Sequence, residues 1–309
     1  MYAYIGGFAL AFYLVIKSAD FAIEYVTRLA RHFGISEFAI SFLLIGLVAA
    51  LPETIIGFSA AAQGKHDIAV IALLASDVVD LTFVFGVVAL FASGLHVSAP
   101  VIKREVVYLI LLALPLVLGY DGTISRAEGI ALLLAGLAFI GSIASEHKVF
   151  SSRIKREDFA VTLRTIILLI ISVLVMVVSA NFTVSFLSLG AAILGVPAPL
   201  VAVFVIGLGS CLPELLFTIR SLQKHKYEMA LGNVLGVVII DATIMLGLVA
   251  VFYPLTVDPT LLRVTGLFCF IGALALLYFL KIHQKLSRWE AAILLGIYAC
   301  FAAVQFIIH

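Results

Sequence analysis

The tightest constraint on this chain is a pair of short segments, ALPETIIG at 50–57 and CLPELLFT at 211–218, each setting a proline and a glutamate inside an apolar run. They lie 161 residues apart, and that offset carries an ungapped alignment over nearly seventy residues. Ser18, Ala19 and Phe21 fall on Ser179, Ala180 and Phe182, and Gly46 and Leu47 on Gly207 and Leu208. Leu51, Pro52 and Glu53 fall on Leu212, Pro213 and Glu214, while Asp80 and Gly86 fall on Asp241 and Gly247. Apolar helices match one another by chance in leucine-rich chains, but paired prolines and paired acids do not arise that way. The chain reads as a duplication.

What is duplicated follows from its solvent. The 309 residues are 64% hydrophobic and 12% charged, about half the charged fraction of a soluble domain, with a mean hydropathy of +1.24. A soluble α/β protein fails on span length, because buried strands stop after about 4–8 residues. The expected fold is an all-α integral membrane protein with about ten transmembrane helices. They lie near 2–24, 37–62, 68–93, 105–119, 127–145, 162–181, 197–221, 229–253, 262–281 and 288–307. A first five-helix repeat at 1–145 and a second at 162–309 flank a cytoplasmic linker at 146–161. Fifteen lysines and arginines lie in or beside the odd-numbered loops, against Lys65, Arg126 and Arg263 in the even ones. The positive-inside rule then puts both termini on the outer side of a cell membrane. Five spans per half is an odd number, so the second half must enter the bilayer inverted. That construction is typical of secondary transporters, whose substrate sites lie near the midplane where broken helices meet.

Pro52 and Pro213 have no amide hydrogen and should interrupt spans two and seven, freeing carbonyls that survive at membrane depth only with a partner. Glu53 and Glu214 follow them directly, although a charged carboxylate at mid-bilayer costs about 2.5–3.5 kcal/mol even on insertion scales. The following spans add Ser76, Asp77 and Asp80 in one half and Asn233 and Asp241 in the other. Glu53, Glu214, Asp80 and Asp241 make a set of hard oxygen donors, which suits Ca2+ better than a soft metal and tolerates its irregular geometry better than Mg2+ would.

Other features point to fewer roles. Cys211, Cys269 and Cys300 are far apart in apolar segments and read as packing residues. His66, His96, His147, His225 and His283 fall in or near loops and read as surface residues. A net charge of +1 gives no footprint for nucleic acid, and no phosphate-binding loop appears, so this chain alone is not expected to use ATP. No cofactor and no obligatory protein partner is expected beyond inorganic cations and the lipid bilayer.

The two motif regions, GLVAALPETIIGFSAAAQGKHDIAVIALLASDVVDLTFVFG and GLGSCLPELLFTIRSLQKHKYEMALGNVLGVVIIDATIMLG, resemble the alpha repeats of the calcium:cation antiporter superfamily, particularly its sodium/calcium exchanger-like branch. Those repeats are similar to GTSLPE followed by Gly-Asn, Gly-Ser-Asn and a final Asn or Asp. The resemblance implies a Ca2+ core at Glu53 and Glu214 with Asp80 and Asp241 nearby. It also implies Ser76 and Ser210 as hydroxyl ligands, and Asp77 stands where the motif has Asn. Ala49, Ala50, Cys211, Val237 and Val238 replace hydroxyl or amide positions of the family pattern. The expected activity is exchange of Ca2+ for Na+ by alternating access, with H+ as the alternative counter-ion. A cation channel and a non-transporting membrane homologue are the alternatives from other classes.

Overall fold

The computed structural model describes residues 2–32, 46–91, 105–146, 159–211, 214–215, 218–219, 222, 227–283 and 286–308. It is mostly helical. Helix α1 covers Tyr2–His32, and the next span is broken into α2, Gly46–Ala49, and α3, Leu51–Ala62. Helix α4 runs continuously over 66–91 and contains two π-helical stretches, Ile71–Ala75 and Asp80–Val84. Helices α5, Glu105–Leu118, and α6, Arg126–Glu146, complete the first half. The second half contains α7, Phe159–Leu194; α8, Ala198–Ser210; and α9 over 227–252, with a π-helical stretch at Ile240–Met245. Helices α10, Pro259–His283, and α11, Arg288–Ile308, end it. Among the described residues, seven helices are long and apolar enough to cross a membrane, and Glu105–Leu118 and Leu200–Ser210 are shorter apolar helices. The linker residues 147–158, Leu212, Pro213 and the basic residues Lys103, Arg104, Lys224 and Lys226 lie outside the described residues.

Packing follows the repeat. Helices α1 and α7, whose positions correspond under the 161-residue offset, pack along one another, and so do α5 and α10. The end of α4 packs on α11, and the corresponding end of α9 packs on α6. Each half therefore closes its third helix on the last helix of the other. Glycines allow the closest of these approaches. A Cβ at Gly247 would meet the Gly129 carbonyl oxygen at 2.6 Å, and one at Gly86 would meet Leu295 Cγ at 2.7 Å.

Three differences from expectation have physical causes. Helix α7 runs 36 residues to Leu194 rather than stopping near 181. The polar residues at and beyond that expected end, Asn181, Ser185 and Ser188, each bond a carbonyl four residues back at 2.8–2.9 Å, so the helix absorbs them. Helix α1 likewise extends to His32, with Arg28 and Glu24 paired across one turn. The fold is also not purely helical, because Thr123–Ile124 pairs antiparallel with Leu255–Thr256. Gly122 leads into that ribbon at φ +86, where a side chain would also strike Pro259. Beside it, Asp121 accepts from the Thr123 amide and hydroxyl at 2.9 Å, which holds its carboxyl below the usual range.

The ribbon gathers the even-numbered loops on one face. Val257 N–H donates to the Gly122 carbonyl at 2.8 Å, Thr256 N–H to His66 Nδ1 at 3.1 Å, and Asp258 N–H to Asp67 Oδ1 at 3.0 Å. His66 thus has a structural partner that its loop position did not suggest. A cavity of about 390 Å³ opens beside it, lined by Lys65, His66, Asp67, Ser188, Ala198 and Thr256. Partial burial lowers the Lys65 amine below its ordinary value, and the amine donates to Gln63 Oε1 at 2.9 Å. Elsewhere, Lys281 pairs with Glu105, joining odd-numbered loops.

Candidate cation site

The site begins at two helix breaks. Proline at 52 removes the amide that would bond the carbonyl four residues earlier, and it disfavours helical geometry in the residue before it. The chain turns at Ala50, with φ −69 and ψ −10, and resumes as α3 with Pro52 in its first turn. Cys211 ends α8 with nearly the same torsions, φ −78 and ψ −4. The first bonds after the two breaks also correspond, since Thr54 N–H donates to the Ala50 carbonyl and Leu215 N–H to the Cys211 carbonyl, both at 3.0 Å. Glu53 therefore stands in the first turn of a new helix, where free amides favour a carboxylate. Glu214 follows Pro213, which lies outside the described residues, and is itself helical and buried.

Both breaks cross the polar helix of the opposite half. A Cβ on Gly46 would lie 3.7 Å from Val237 N and 3.8 Å from Gly236 C. The corresponding Gly207 approaches Val79 Cγ2 at 3.7 Å and the Ala75 backbone at 3.9 Å. These are ordinary van der Waals distances, so both crossings bring backbone of the opposite half within one methyl group's reach of the break.

At the crossings α4 and α9 are locally π-helical, in registers that correspond through Asp80–Val84 and Ile240–Met245. A π-helical turn holds one extra residue, which re-aims side chains and loosens the backbone ladder, and such turns are frequent at functional sites. Thr82 and Thr243, equivalent under the repeat, each donate to the carbonyl four residues back, those of Val78 and Ile239.

All seven residues singled out in the sequence are buried: Glu53, Ser76, Asp77, Asp80, Ser210, Glu214 and Asp241. The five acids come from both halves and lie near enough for their charges to interact. Asp77 feels Asp80 and Glu53, while Asp241 feels Asp77, Glu53, Asp80 and Glu214. Glu53 Oε2, both Asp77 carboxylate oxygens, Asp80 Oδ1, Glu214 Oε2 and Asp241 Oδ1 are enclosed without a hydrogen-bond partner. Ser76 donates to the Ala72 and Leu73 carbonyls at 3.0 and 2.7 Å, and Ser210 to the Ile206 carbonyl at 2.8 Å. Each hydroxyl has spent its one hydrogen on its own helix, which leaves oxygen lone pairs for a cation. Among the described residues, no three His, Cys, Asp or Glu side chains converge closely enough to hold a metal ion by themselves. An ion here needs hydroxyls, backbone carbonyls or water to complete its shell.

Asn233, expected from the sequence, and Thr218 and Cys211, which the sequence did not single out as ligands, are buried as well. Thr218 Oγ1 and Asn233 Oδ1 are buried and unpartnered. The Cys211 thiol lies beside Asp80 and 3.5 Å from the Ser76 carbonyl oxygen. Their alignment with opposite-half residues was visible, but their burial was not. Tyr108 closes one side, donating to the Leu235 carbonyl at 2.9 Å.

Comparison with known proteins agrees with this architecture. A family model described as sodium/calcium exchanger protein matches residues 3–143 and 164–307. The chain is 29% identical over 259 residues to the inner membrane protein YrbG of Escherichia coli strain K12, covering 80% of this chain and 79% of that one. It is 23% identical over 341 residues to the sodium/calcium exchanger MaX1 of Methanosarcina acetivorans, covering 97% of each. The solved sodium-calcium exchanger NCX_Mj, soaked with 2.5 mM Na+ and 0.1 mM Sr2+, superposes with a TM-score of 0.69 at 25% identity, covering 97% of this chain and 98% of that one. The same exchanger at zero Na+ and Ca2+ gives 0.66 at 24% identity. With duplicated breaks, an acid-lined interior and a match over both segments, this chain belongs to the sodium/calcium exchanger protein family.

Proposed function

We propose that the chain is a secondary active antiporter that exchanges Ca2+ for Na+ across a cell membrane. Alternating access takes place at one shared site formed by Glu53, Glu214, Asp80 and Asp241, with Ser76, Asp77 and Ser210 beside them. The observation that carries this reading is the set of enclosed, unpartnered carboxylate oxygens contributed by both halves next to corresponding helix breaks. Several carboxylates at membrane depth are costly unless a cation or a proton neutralises them. Ions that compete for that role cannot occupy the site together, and this exclusion couples their opposed movements.

The crossed contacts of α4 with α11 and α9 with α6 support two inverted five-helix halves, ten spans in all. The excess of lysine and arginine in the odd-numbered loops supports termini on the outer side. The α1 and α7 pair is the element that slides against the remaining bundle. Reconstituted vesicles with separately imposed Na+ and pH gradients test the reading. Ca2+ uptake indifferent to both gradients would sink antiport and favour a channel.

Exchange of Ca2+ for H+ is a second reading with its own observation. Asp77 encloses two unpartnered oxygens, while Ala49, Ala50 and Val237 lack the hydroxyl ligands of the family pattern. Uptake driven by the pH gradient alone selects it.

A further inference from the structure

On the even-numbered loop face one set of elements is tied together. The ribbon joins Thr123–Ile124 to Leu255–Thr256, and His66 and Asp67 accept the Thr256 and Asp258 amides, so the loops after α3, α5 and α9 form one platform. None of these bonds reaches α7. The cavity of about 390 Å³ lies on that seam, taking Lys65, His66 and Thr256 from the platform and Ser188 from α7. A different connection crosses the same seam at Gln63, the residue that caps the C-terminus of α3. Its side-chain amide donates from Nε2 to the Asn181 carbonyl at 3.5 Å, and accepts at Oε1 from Ser185 Oγ at 3.3 Å and Lys65 Nζ at 2.9 Å. Ser185 shares its one hydrogen between Gln63 and the Asn181 carbonyl, 2.8 Å away. The two contacts to α7 are long for hydrogen bonds, so they hold it and break easily.

We propose that Gln63 is a positioning residue for exchange, a weak latch that fastens α7 to the platform in this arrangement and releases it when α7 moves along its axis. The inference rests on the proposed exchange, in which α1 and α7 slide, and adds what holds α7 at one end of the stroke. A shift of one turn, about 5.4 Å, carries Asn181 and Ser185 beyond the reach of contacts made at 3.5 and 3.3 Å. Hydrogen bonds made in one arrangement and absent from the other bias the population between them. An amide suits this place because it donates and accepts at once, whereas a carboxylate only accepts. The 161-residue offset puts Lys224, Asp20 and Glu24 at the positions corresponding to Gln63, Asn181 and Ser185. Asp20 and Glu24 pair with Lys17 and Arg28 along α1 itself. The neutral set is therefore particular to α3 and α7.

The test uses the full-length chain in right-side-out and inside-out membrane vesicles, which expose its two faces separately. Gln63→Ala should move half-saturating Ca2+ in opposite directions at the two faces by about 2–10-fold, the worth of one ordinary hydrogen bond. Ser185→Ala should move both values the same way as Gln63→Ala does, and the double variant should go no further than Gln63→Ala alone. Gln63→Glu, which keeps the acceptor and loses the donor, should fall between the parent and Gln63→Ala. Values that stay put or shift together at both faces overturn the proposal, and so do additive effects of Gln63→Ala and Ser185→Ala. A second measurement needs no transport. With Cys300→Ser removing the exposed thiol, Ser188→Cys at the cavity should react faster with a membrane-impermeant methanethiosulfonate once Gln63→Ala frees α7. No rise, in protein whose Ca2+ flux is normal, overturns the latch and leaves exchange standing. A rise in protein that moves no Ca2+ under any gradient overturns exchange and leaves the latch standing.

Discussion

Helices α4 and α9 share a backbone device but differ in what they carry on it. Both become π-helical at the paired aspartates, Asp80 and Asp241, and both bond a threonine back into the preceding turn two residues later. Only α4 has an earlier π-helical stretch, Ile71–Ala75, directly before Ser76 and Asp77. The matching residues of α9 are ordinary α-helix followed by Val237 and Val238. In exchange, α9 keeps Asn233 where α4 has Ala72. The duplicated backbone has been retained while the candidate ligands have become unequal, with two site acids, Asp77 and Asp80, on α4 and one, Asp241, on α9. The shape of the site is symmetric and its chemistry is not.

The sharpest way to break this comparison is to neutralise the glutamates one at a time. Glu53→Gln and Glu214→Gln should each lower Ca2+ flux about 100-fold or more, since losing a direct ligand exceeds the ~10–100-fold effect of an outer-shell partner. Unequal losses would show that the halves share the ion unequally, and no loss in either would defeat the site. Asp77→Asn, which converts the unmatched acid to the family residue, should change Ca2+ flux only about tenfold. It should also flatten the flux dependence on pH if protons are the counter-ion, and a pH profile measured beside wild type decides between the two readings.

Packing offers a comparison of stability. Gly247→Ala drives a Cβ into the Gly129 carbonyl oxygen and the Leu133 amide, both backbone atoms that cannot swing aside. It should cost about 1–3 kcal/mol, read as a lower unfolding midpoint in detergent. Gly86→Ala meets the Leu295 side chain first and should cost less; equal shifts would mean that the two interfaces yield alike. Tyr108→Phe removes one buried hydrogen bond to the Leu235 carbonyl and should cost about 0.5–1.5 kcal/mol by the same measurement. Smallest of all, Lys281→Ala breaks a largely exposed pair with Glu105 and should stay within ~1 kcal/mol.

The features legible in the sequence were those carried by residue type. Proline before glutamate announced the break at Ala50, and the ungapped offset brought Asp80 and Asp241 into correspondence before any fold was known. Burial of the seven chosen residues followed from placing acids within apolar spans. The π-helical stretches carried no such mark, because IALLA and DLTFV are ordinary helix formers and the extra residue depends on tertiary contacts. The length of α7 beyond 181 was not legible, because what keeps Asn181, Ser185 and Ser188 within the helix is their local bonds to carbonyls four residues back. Cys211 is buried in the core, as its apolar sequence neighbours suggested. What the sequence did not show is that this packing also brings its thiol to Asp80 and the Ser76 carbonyl, more than a hundred residues away.

The length of α7 has a consequence of its own. Its apolar stretch Thr162–Leu194 has 33 residues, roughly 50 Å of helix at 1.5 Å per residue, against a hydrocarbon layer of about 30 Å. If α7 moved along its axis by one turn, about 5.4 Å, greasy side chains would enter the lipid at one end as others left it at the opposite end. The surrounding lipid would then oppose the displacement hardly at all. With α1 travelling alongside it, resistance would come from the face that α7 presses against α3 and α8, and the cations held behind that face could decide its position.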